Sequence, residues 1–253
     1  MSKIKLSIIT ICYNAECYIE DCIKSVVGQT YDDFEYIIVD GGSTDHTNEV
    51  IQKYKESIDR YISEPDDGIA DAMNKAIALS SGEYILFVHS DDYLISPAIL
   101  SKMMRGIDNS MPICLFNLQK SEKGIMRNYI PRGFNAWINF KTGIFHQGCI
   151  CKRSLFSEIG AFDVRLRVAM DYDFFLRAYR AGTDYAYYDF SICVMRDTGV
   201  SSRIDKKSLM KRFEEERWVH AKNCNTFFLK IIYKIYWPTY LGYRSIRMLF
   251  NES

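Results

Sequence analysis

The first hundred residues alternate between short apolar runs and segments whose apolar positions recur at helical spacing. The runs predict strands, because strands buried on both faces of a parallel sheet are nearly continuous in apolar side chains. The predicted strands are Leu6–Ile11, Phe34–Val39, Arg60–Ser63 and Tyr84–His89. The predicted helices between them are Glu16–Val27, a segment capped by the Thr44 side chain, and Gly68–Leu79. This order predicts an α/β fold with a parallel sheet that helices cover on both faces.

The second half of the chain has a less regular pattern. The predicted strands there are Ile113–Gln119, Gln147–Cys151 and Tyr185–Arg196, and the predicted helices are Arg153–Ile159 and Tyr172–Ala181. Ser121–Thr142 mixes Gly, Pro, Asn and aromatic residues, which is typical of a loop or lid. From Lys206 the pattern is helical, and Trp237-Pro238 is expected to split this tail into two helices.

A polar or acidic loop follows each of the first four predicted strands. These loops are Tyr13-Asn14, Asp40–Ser43, Glu64–Asp67 and Ser90–Asp92. Ligands of open α/β sheets bind outside the carboxyl ends of the strands, so we expect the loops to gather around one site. Carboxylates brought together repel each other unless a cation or hydrogen-bond donors offset the charge.

Composition narrows the class of protein. With 253 residues, 48% hydrophobic and 25% charged, the chain is large and apolar enough for a packed core, which excludes disorder, collagen and coiled coil. A formal net charge of zero argues against a generally basic nucleic-acid binder. The eight cysteines form no CxxC pair, so we expect reduced thiols in a cytosolic protein rather than a zinc site.

The charge is unevenly distributed, because residues 203–253 hold 11 Lys/Arg against 5 Asp/Glu, a net charge of +6. An apolar stripe with two lysines lies within this tail: Phe227, Phe228, Ile231, Ile232 and Ile235, with Lys230 and Lys234. Basic amphipathic helices bind membrane surfaces. They also pack on a catalytic body or on a second copy in a homodimer. No signal peptide and no apolar run of about 20 residues is present, so we expect a cytoplasmic protein, soluble or peripheral on the inner face of the membrane.

Eight short motifs follow one another along the sequence in a specific order and spacing. They are Ser7–Asn14, Gln29-Thr30-Tyr31, Val39–Asp45, Asp67-Gly68 with Asn74-Lys75-Ala76, Gly82-Glu83-Tyr84, Ser90-Asp91-Asp92, Gly160–Asp163 and Met170–Arg177. This ordered set resembles the family 2 glycosyltransferases over about residues 4–200. The resemblance implies the GT-A fold over 1–202, with a nucleotide-sugar half (1–110) and an acceptor half (111–202), followed by a helical tail over 203–253.

The resemblance also implies the donor and the residues that bind it. Family members bind a nucleotide diphosphate sugar, usually a UDP-sugar. Thr10, Cys12 and Tyr13 would pack on the nucleoside, and Asp40 would accept a hydrogen bond from the uracil ring. Asp67, Asp71 and Ser90 would line the same cleft. Alternatively, Asp40 caps the turn into the next helix, and Asp67 and Asp71 are charges at a helix start.

The family's metal motif is Asp-x-Asp, and here the triplet is His89-Ser90-Asp91, followed by Asp92. The first acidic position is therefore a histidine. The resemblance implies that Asp91 binds Mn²⁺ or Mg²⁺, with Asp92 as a second or water-mediated ligand. His89 either contacts the ribose or metal or simply ends the strand. A turn with a helix cap before Ser96-Pro97 is the structural alternative for the two aspartates.

Asp171 occupies the position of the family's catalytic base, where Met170 replaces the first member of the usual acidic pair. Helix capping is the alternative for Asp171. His146 and Gln147 match the family's pocket and are expected on the acceptor side. His146 is also consistent with a core histidine, and Asp173 with either an acceptor-side or a structural role. Asp197–Ser202 resembles the mobile loop that closes over the diphosphate.

The resulting hypothesis is an inverting glycosyltransferase that moves a sugar from a UDP-sugar to a hydroxyl of a surface polysaccharide or lipid-linked oligosaccharide. A noncatalytic nucleotide-sugar-binding module is one alternative, since His89 and Met170 depart from the family pattern. A nucleotidyltransferase is another, although Thr10–Glu16 lacks the Gly, Lys and Arg of a phosphate loop.

Overall fold

A nine-stranded mixed sheet runs through the part of the chain that the computed structural model describes, which is residues 6–122, 124–198, 205–224 and 226–251. Its strands are β1 (Leu6–Cys12), β2 (Phe34–Asp40), β3 (Arg60–Ser63), β4 (Tyr84–Phe87), β5 (Tyr93–Leu94), β6 (Ile113–Glu122), β7 (Ile125–Tyr129), β8 (Cys149–Lys152) and β9 (Tyr185–Met195). The strand order is β3-β2-β1-β4-β8-β6-β9-β5, and β7 pairs with β6.

The first half of the sheet is parallel, as the alternating pattern predicts. β1 pairs in parallel with β2 and β4, and β2 pairs in parallel with β3. The second half is mixed, because β8 lies antiparallel between β4 and β6, while β6 and β9 are parallel. The carboxyl ends of β1, β2, β3 and β4 therefore lie at one edge of the sheet.

Helices cover both faces of the sheet. They are α1 (Ile19–Val27), α2 (Thr47–Gln52), α3 (Ile69–Leu79), α4 (Ile99–Gly106), α5 (Arg153–Glu158), α6 (Met170–Arg180), α7 (Lys206–Asn223) and α8 (Phe227–Asn251). Alternate residues of β1 enter different cores: Ile9 and Ile11 pack in one apolar cluster, and Leu6 and Ile8 in the other. A central strand buried on both faces explains why its sequence is nearly continuous in apolar residues.

Three local predictions are wrong. Thr44 does not cap α2, because the carboxylate of Asp45 accepts the Thr47 N–H at 3.0 Å, and α2 begins at that residue. The segment 121–142 is not all loop, since Ile125–Tyr129 forms a strand on β6. The predicted strand Gln147–Cys151 starts as a 3₁₀ turn over His146–Gly148, and β8 begins at Cys149.

The tail is also divided differently from the prediction. α8 continues through Pro238, and the two tail helices separate near Cys224. A proline inside a helix costs about 3 kcal/mol. Packing offsets this cost, because Tyr233 and Trp237 are buried in a cluster with Leu209 and Phe213 of α7.

One face of α8 is tied to the body of the protein by a series of hydrogen bonds. Trp237 donates its indole N–H to His220 Nδ1 at 3.1 Å, so Nε2 of His220 carries the proton and donates to the Tyr172 hydroxyl at 2.6 Å. Tyr172 in turn donates to the Ile138 carbonyl at 2.8 Å. Burial, with a contribution from Arg180, lowers the pKa of His220 to about 3, so this ring is neutral at physiological pH. Among the described residues, no helix has the length and apolarity needed to cross a membrane.

Candidate active site at the carboxyl edge of the sheet

Asp40 joins the ends of three strands. It ends β2, has no exposed surface, and accepts hydrogen bonds from the Ser43 N–H at 3.0 Å and from Ser63 Oγ of β3 at 2.6 Å. Cys12 of β1 donates its thiol to the same carboxylate at 3.6 Å, and burial together with the Asp40 charge raises the pKa of that thiol. The predicted nucleotide-binding carboxylate thus lies beneath the edge of the sheet, where it holds the surrounding loops in place.

The loop after β1 presents an aromatic side chain at this edge. Tyr13 is 62% exposed, and the next residue, Asn14, has a left-handed backbone with φ of 48°. Asn14 Oδ1 accepts the Thr44 N–H at 2.9 Å, and its own N–H donates to Ser43 at 2.8 Å. These bonds fix the loop after β1 against the loop after β2, and leave the Tyr13 ring open to a ligand.

Thr10 lies deeper than its predicted role requires. It is fully buried, and its hydroxyl donates to the Val88 carbonyl at 2.7 Å beside the Tyr36 hydroxyl. A fully buried residue of β1 has no surface to offer a nucleoside in this conformation. Thr10 therefore supports the sheet under the site instead of lining the cleft.

The loop after β3 leads into α3. Asp67 is exposed, and its N–H donates to Asp71 Oδ2 at 3.1 Å, while Lys75 pairs with the same carboxylate at 3.3 Å. Gly68 between them has φ of +106°, and a side chain there would collide with the guanidinium of Arg167. No sequence motif predicts this arginine beside the loop, because Arg167 comes from the segment just before α6.

The two aspartates after β4 differ in exposure. Asp91 is half-buried and accepts a hydrogen bond from Thr198 Oγ1 at 3.0 Å. Asp92 is 1% exposed and accepts the Arg196 N–H at 3.2 Å, while its Oδ2 has no partner among the described residues. Burial, and then the charge of Asp91, raises the pKa of Asp92 well above its usual range. Ser90 is half-buried, and its N–H donates to the Ile11 carbonyl at 3.3 Å.

Arg196, which belongs to none of the sequence motifs, places a cation beside this acidic loop. Its Nη1 donates to the Asp91 carbonyl at 3.2 Å, and its Nη2 pairs with Asp21 at 2.8 Å. The guanidinium carbon lies 4.8 Å from the centre of the Tyr93 ring and 5.3 Å from that of Tyr18. Asp197 and Thr198 follow it, and the rest of the predicted mobile loop Asp197–Ser202 lies outside the described residues.

Asp171 lies in the first turn of α6 and is connected to the β4 loop through two histidines. Its Oδ2 accepts a hydrogen bond from His146 Nδ1 at 2.6 Å, and Nε2 of His146 contacts Nε2 of His89. The two imidazole rings are 4.4 Å apart at their centres. Burial and the neighbouring His146 lower the pKa of His89 well below its usual range. Because His89 is two residues before Asp91, the candidate base and the acidic loop share one edge of the sheet.

The other predicted acceptor-side residues are buried. Gln147 is 7% exposed. Asp173 has no exposed surface and accepts hydrogen bonds from Arg177 at 2.9 Å, Lys222 at 3.2 Å and Asn223 at 2.8 Å. This burial and these hydrogen bonds favour the structural role of Asp173 over the acceptor-side role.

The donor atoms after β4 suit a hard divalent cation. In the described parts of the chain, no three His, Cys, Asp or Glu side chains are grouped as a complete protein-only metal site. Mg²⁺ needs only one or two protein carboxylates when substrate phosphates supply further oxygens. The half-buried carboxylate of Asp91 and the unpartnered Oδ2 of Asp92 are oxygen donors of this kind.

Comparison with known proteins identifies the family. The model of glycosyl transferase family 2 matches residues 7–180. A PGL/p-HBAD biosynthesis glycosyltransferase of Mycobacterium bovis is 31% identical over 221 residues, which cover 84% of this chain and 85% of that protein. A poly(ribitol-phosphate) beta-glucosyltransferase of Bacillus spizizenii is 31% identical over 207 residues, 73% of this chain and 32% of that protein, so this chain spans about a third of its length.

Among solved structures, S. aureus TarS 1-349 in complex with UDP-GlcNAc has the same fold. The TM-score is 0.66 at 21% identity, and the match covers 85% of this chain and 66% of that one, a little under two thirds. The mixed sheet, the helices on both faces and the polar edge described above are those of the GT-A fold. The chain belongs to glycosyl transferase family 2 and is a glycosyltransferase.

Proposed function

We propose that this glycosyltransferase moves a sugar from a UDP-sugar, with inversion, to a hydroxyl of a surface polysaccharide or lipid-linked acceptor. The observation that carries the proposal is the shared edge, where His146 and His89 link Asp171 to the Asp91 loop. The TarS complex with UDP-GlcNAc supports the donor class, and the similarity to the Bacillus poly(ribitol-phosphate) beta-glucosyltransferase supports a cell-surface polymer as acceptor.

The donor would lie across the loops after β1, β2 and β3. Tyr13 offers an exposed ring against which the base can stack. Asp67 and Asp71 lie on the loop after β3 and at the start of α3, and Ser90 is half-buried beside Asp91. Asp40 and Cys12 would contribute indirectly. They are buried under the site, and the hydrogen bond between them holds the ends of the loops that would contact the uracil.

Asp91 and Asp92 would hold Mn²⁺ or Mg²⁺ against the diphosphate. When bound, the cation supplies Lewis-acid stabilisation of the charge that develops on the departing UDP. Asp171 would take the proton of the acceptor hydroxyl as its oxygen attacks the anomeric carbon from the face opposite the UDP. A single displacement of this kind inverts the configuration at that carbon. We also propose that the glycosyltransferase domain covers residues 1–202 and that the helical tail covers residues 203–253.

A panel of UDP-sugars tests the proposal, scored for UDP release with Mn²⁺, Mg²⁺ or a chelator. We expect release with at least one donor and its loss on chelation. Asp91→Ala should weaken metal-dependent UDP binding at least about tenfold in calorimetry. The substrate phosphates supply most of the metal's oxygen ligands, so the loss of one of the few protein carboxylates has a large effect. Asp184→Ala, at an exposed turn before β9, is the matched control. Unchanged metal dependence in Asp91→Ala would contradict the metal assignment, and release of pyrophosphate instead of UDP would indicate a nucleotidyltransferase.

We further propose that the outer face of α8 rests on the anionic inner surface of the cell membrane. Its side chains Phe227, Phe228 and Ile235 are 79%, 71% and 66% exposed, whereas Tyr233 and Trp237 of the same helix pack inward. Lys230 and Lys234 carry the positive charge that anionic lipid attracts. The face would bring the active site close to a lipid-linked acceptor.

Vesicle sedimentation tests this contact. We expect binding to vesicles that contain phosphatidylglycerol, and at least about a fivefold loss of binding in the double variant Phe227→Ser, Phe228→Ser, since burial of apolar area adds to the electrostatic attraction. Ile125→Ser, which removes a side chain of β7 that is 60% exposed, should leave binding unchanged. The result would be different if the face were a homodimer interface. The wild-type protein would then not bind these vesicles and would form a dimer, and the double variant would be monomeric.

A further inference from the structure

His146 is held between two partners, and its position fixes the direction of its hydrogen bonds. Its side chain is 10% exposed, and Nδ1 lies 2.6 Å from Asp171 Oδ2. An ionised carboxylate only accepts hydrogen bonds, so Nδ1 of His146 must be the donor. In the neutral ring Nε2 is then an acceptor, and the Nε2 atom of His89 that contacts it must carry a proton.

The hydrogen bonds therefore run in one direction, from His89 to His146 to Asp171. Phe87 packs against both imidazoles, with ring centres 6.2 Å from His89 and 5.9 Å from His146, which limits how either ring can turn. The Cys149 thiol donates to the His146 carbonyl at 3.4 Å, which anchors the backbone of the same turn. Both rings are thus fixed from more than one side.

We propose that His146 is a positioning residue for Asp171, and that His89 selects the tautomer in which His146 does this. One carboxylate oxygen of Asp171 is engaged by His146, so the other keeps a fixed direction toward the acceptor hydroxyl. A carboxylate at position 89 could only accept a hydrogen bond at the place where His89 donates one. This inference rests on the proposed role of Asp171 as the base.

Two amide substitutions of His146 separate the functions of its two nitrogens. His146→Asn places an amide nitrogen near the position of Nδ1, so it keeps a donor for Asp171 and loses the contact with His89. His146→Gln reaches toward the position of Nε2 and loses the donor. We expect His146→Gln to lower kcat about 10- to 100-fold, by analogy with the loss that follows removal of the hydrogen-bond partners of metal ligands. His146→Asn should retain activity within about fivefold of the wild type.

The donor KM should change by less than about twofold in both variants, because a loss confined to kcat separates positioning of the base from loss of donor binding. His89→Ala should give a smaller decrease in kcat than His146→Gln. Equal kcat for His146→Gln and the wild type would overturn the inference while leaving the proposed function in place. Equal losses in His146→Asn and His146→Gln would also overturn it, since the donor atom would then not matter.

A measurement independent of turnover uses the whole protein. Nitrogen–proton NMR correlations of the imidazoles should show His146 protonated at Nδ1 and His89 at Nε2 near pH 7.5, and the four histidines of the chain are few enough to assign by substitution. The opposite tautomer of His146 would overturn the inference. If the wild type transferred no sugar from any donor, the proposed function would fail, and the tautomers would still decide whether His146 donates to Asp171.

Discussion

Replacing Asp171 with asparagine is expected to lower the turnover of sugar transfer about a thousandfold. Asparagine keeps the size of the side chain and a hydrogen-bonding partner for His146, but it cannot take a proton from the acceptor hydroxyl. General base catalysis contributes about 10²- to 10⁴-fold to enzymatic rates, so the loss should fall within that range. The measurement is kcat for UDP release with acceptor present, alongside the dissociation constant of UDP.

UDP binding by Asp171→Asn should remain within about twofold of the wild type, because the carboxylate lies on α6 and the proposed donor loops follow β1 to β4. Asp184→Asn, at the exposed turn beyond the other end of α6, is the control for the loss of a negative charge near this helix. Transfer at the normal rate by Asp171→Asn would show that another group is the base. Binding of UDP without any release in the wild type would favour a noncatalytic module.

The parallel half of the fold could be predicted because its determinants are local. Strands such as Leu6–Cys12 are short and apolar, and the helices between them repeat buried positions, as in Ile19, Cys22, Ile23 and Val26 of α1. Right-handed crossovers then place the carboxyl ends of successive strands at one edge. The location of Asp40 and Asp91 at that edge follows from this topology alone.

Depth below the surface could not be predicted in the same way. The position of Asp40 at the end of a strand predicts the edge of the sheet. Its burial depends on Cys12 of β1, Ser63 of β3 and Ser43 of the loop after β2, which all contact its carboxylate. Thr10 likewise belongs to a strand whose two faces are both covered, so it lies under the site. The pattern of one strand does not show which neighbours will close over it.

The contacts between distant residues in the second half of the sheet could not be predicted from the sequence pattern either. β9 is a neighbour of β5 and β6, and this pairing brings Arg196 and Thr198 to the Asp91 loop. His89, His146 and Asp171 come from three separate elements, and no local periodicity relates them. Resemblance to a family pointed to Asp171 and His146, but the hydrogen bond between them is visible only in the fold.

Asp173→Ala is expected to lower the free energy of unfolding by about 3 kcal/mol. The carboxylate is wholly buried and joins Arg177 of its own helix to Lys222 and Asn223 of α7. Its removal leaves two cations without their shared counter-charge, and breaking a buried pair in this way costs about 3–5 kcal/mol. The lower end applies because the Lys222 side chain is 29% exposed and keeps a second partner, Asp163, at 2.6 Å. Urea unfolding measures the change.

The same variant distinguishes the two roles that the sequence allowed for Asp173. A structural carboxylate predicts the loss of stability together with an unchanged KM for the acceptor at a temperature where the variant is folded. An acceptor-binding carboxylate predicts the reverse, a raised acceptor KM and nearly normal stability. Lys222→Ala is the matched control, expected to cost only about 1 kcal/mol, since Asp173 would keep Arg177 and Asn223 as partners and a partly exposed ion pair contributes little. Normal stability of Asp173→Ala would contradict the burial of this carboxylate and restore the acceptor-side role.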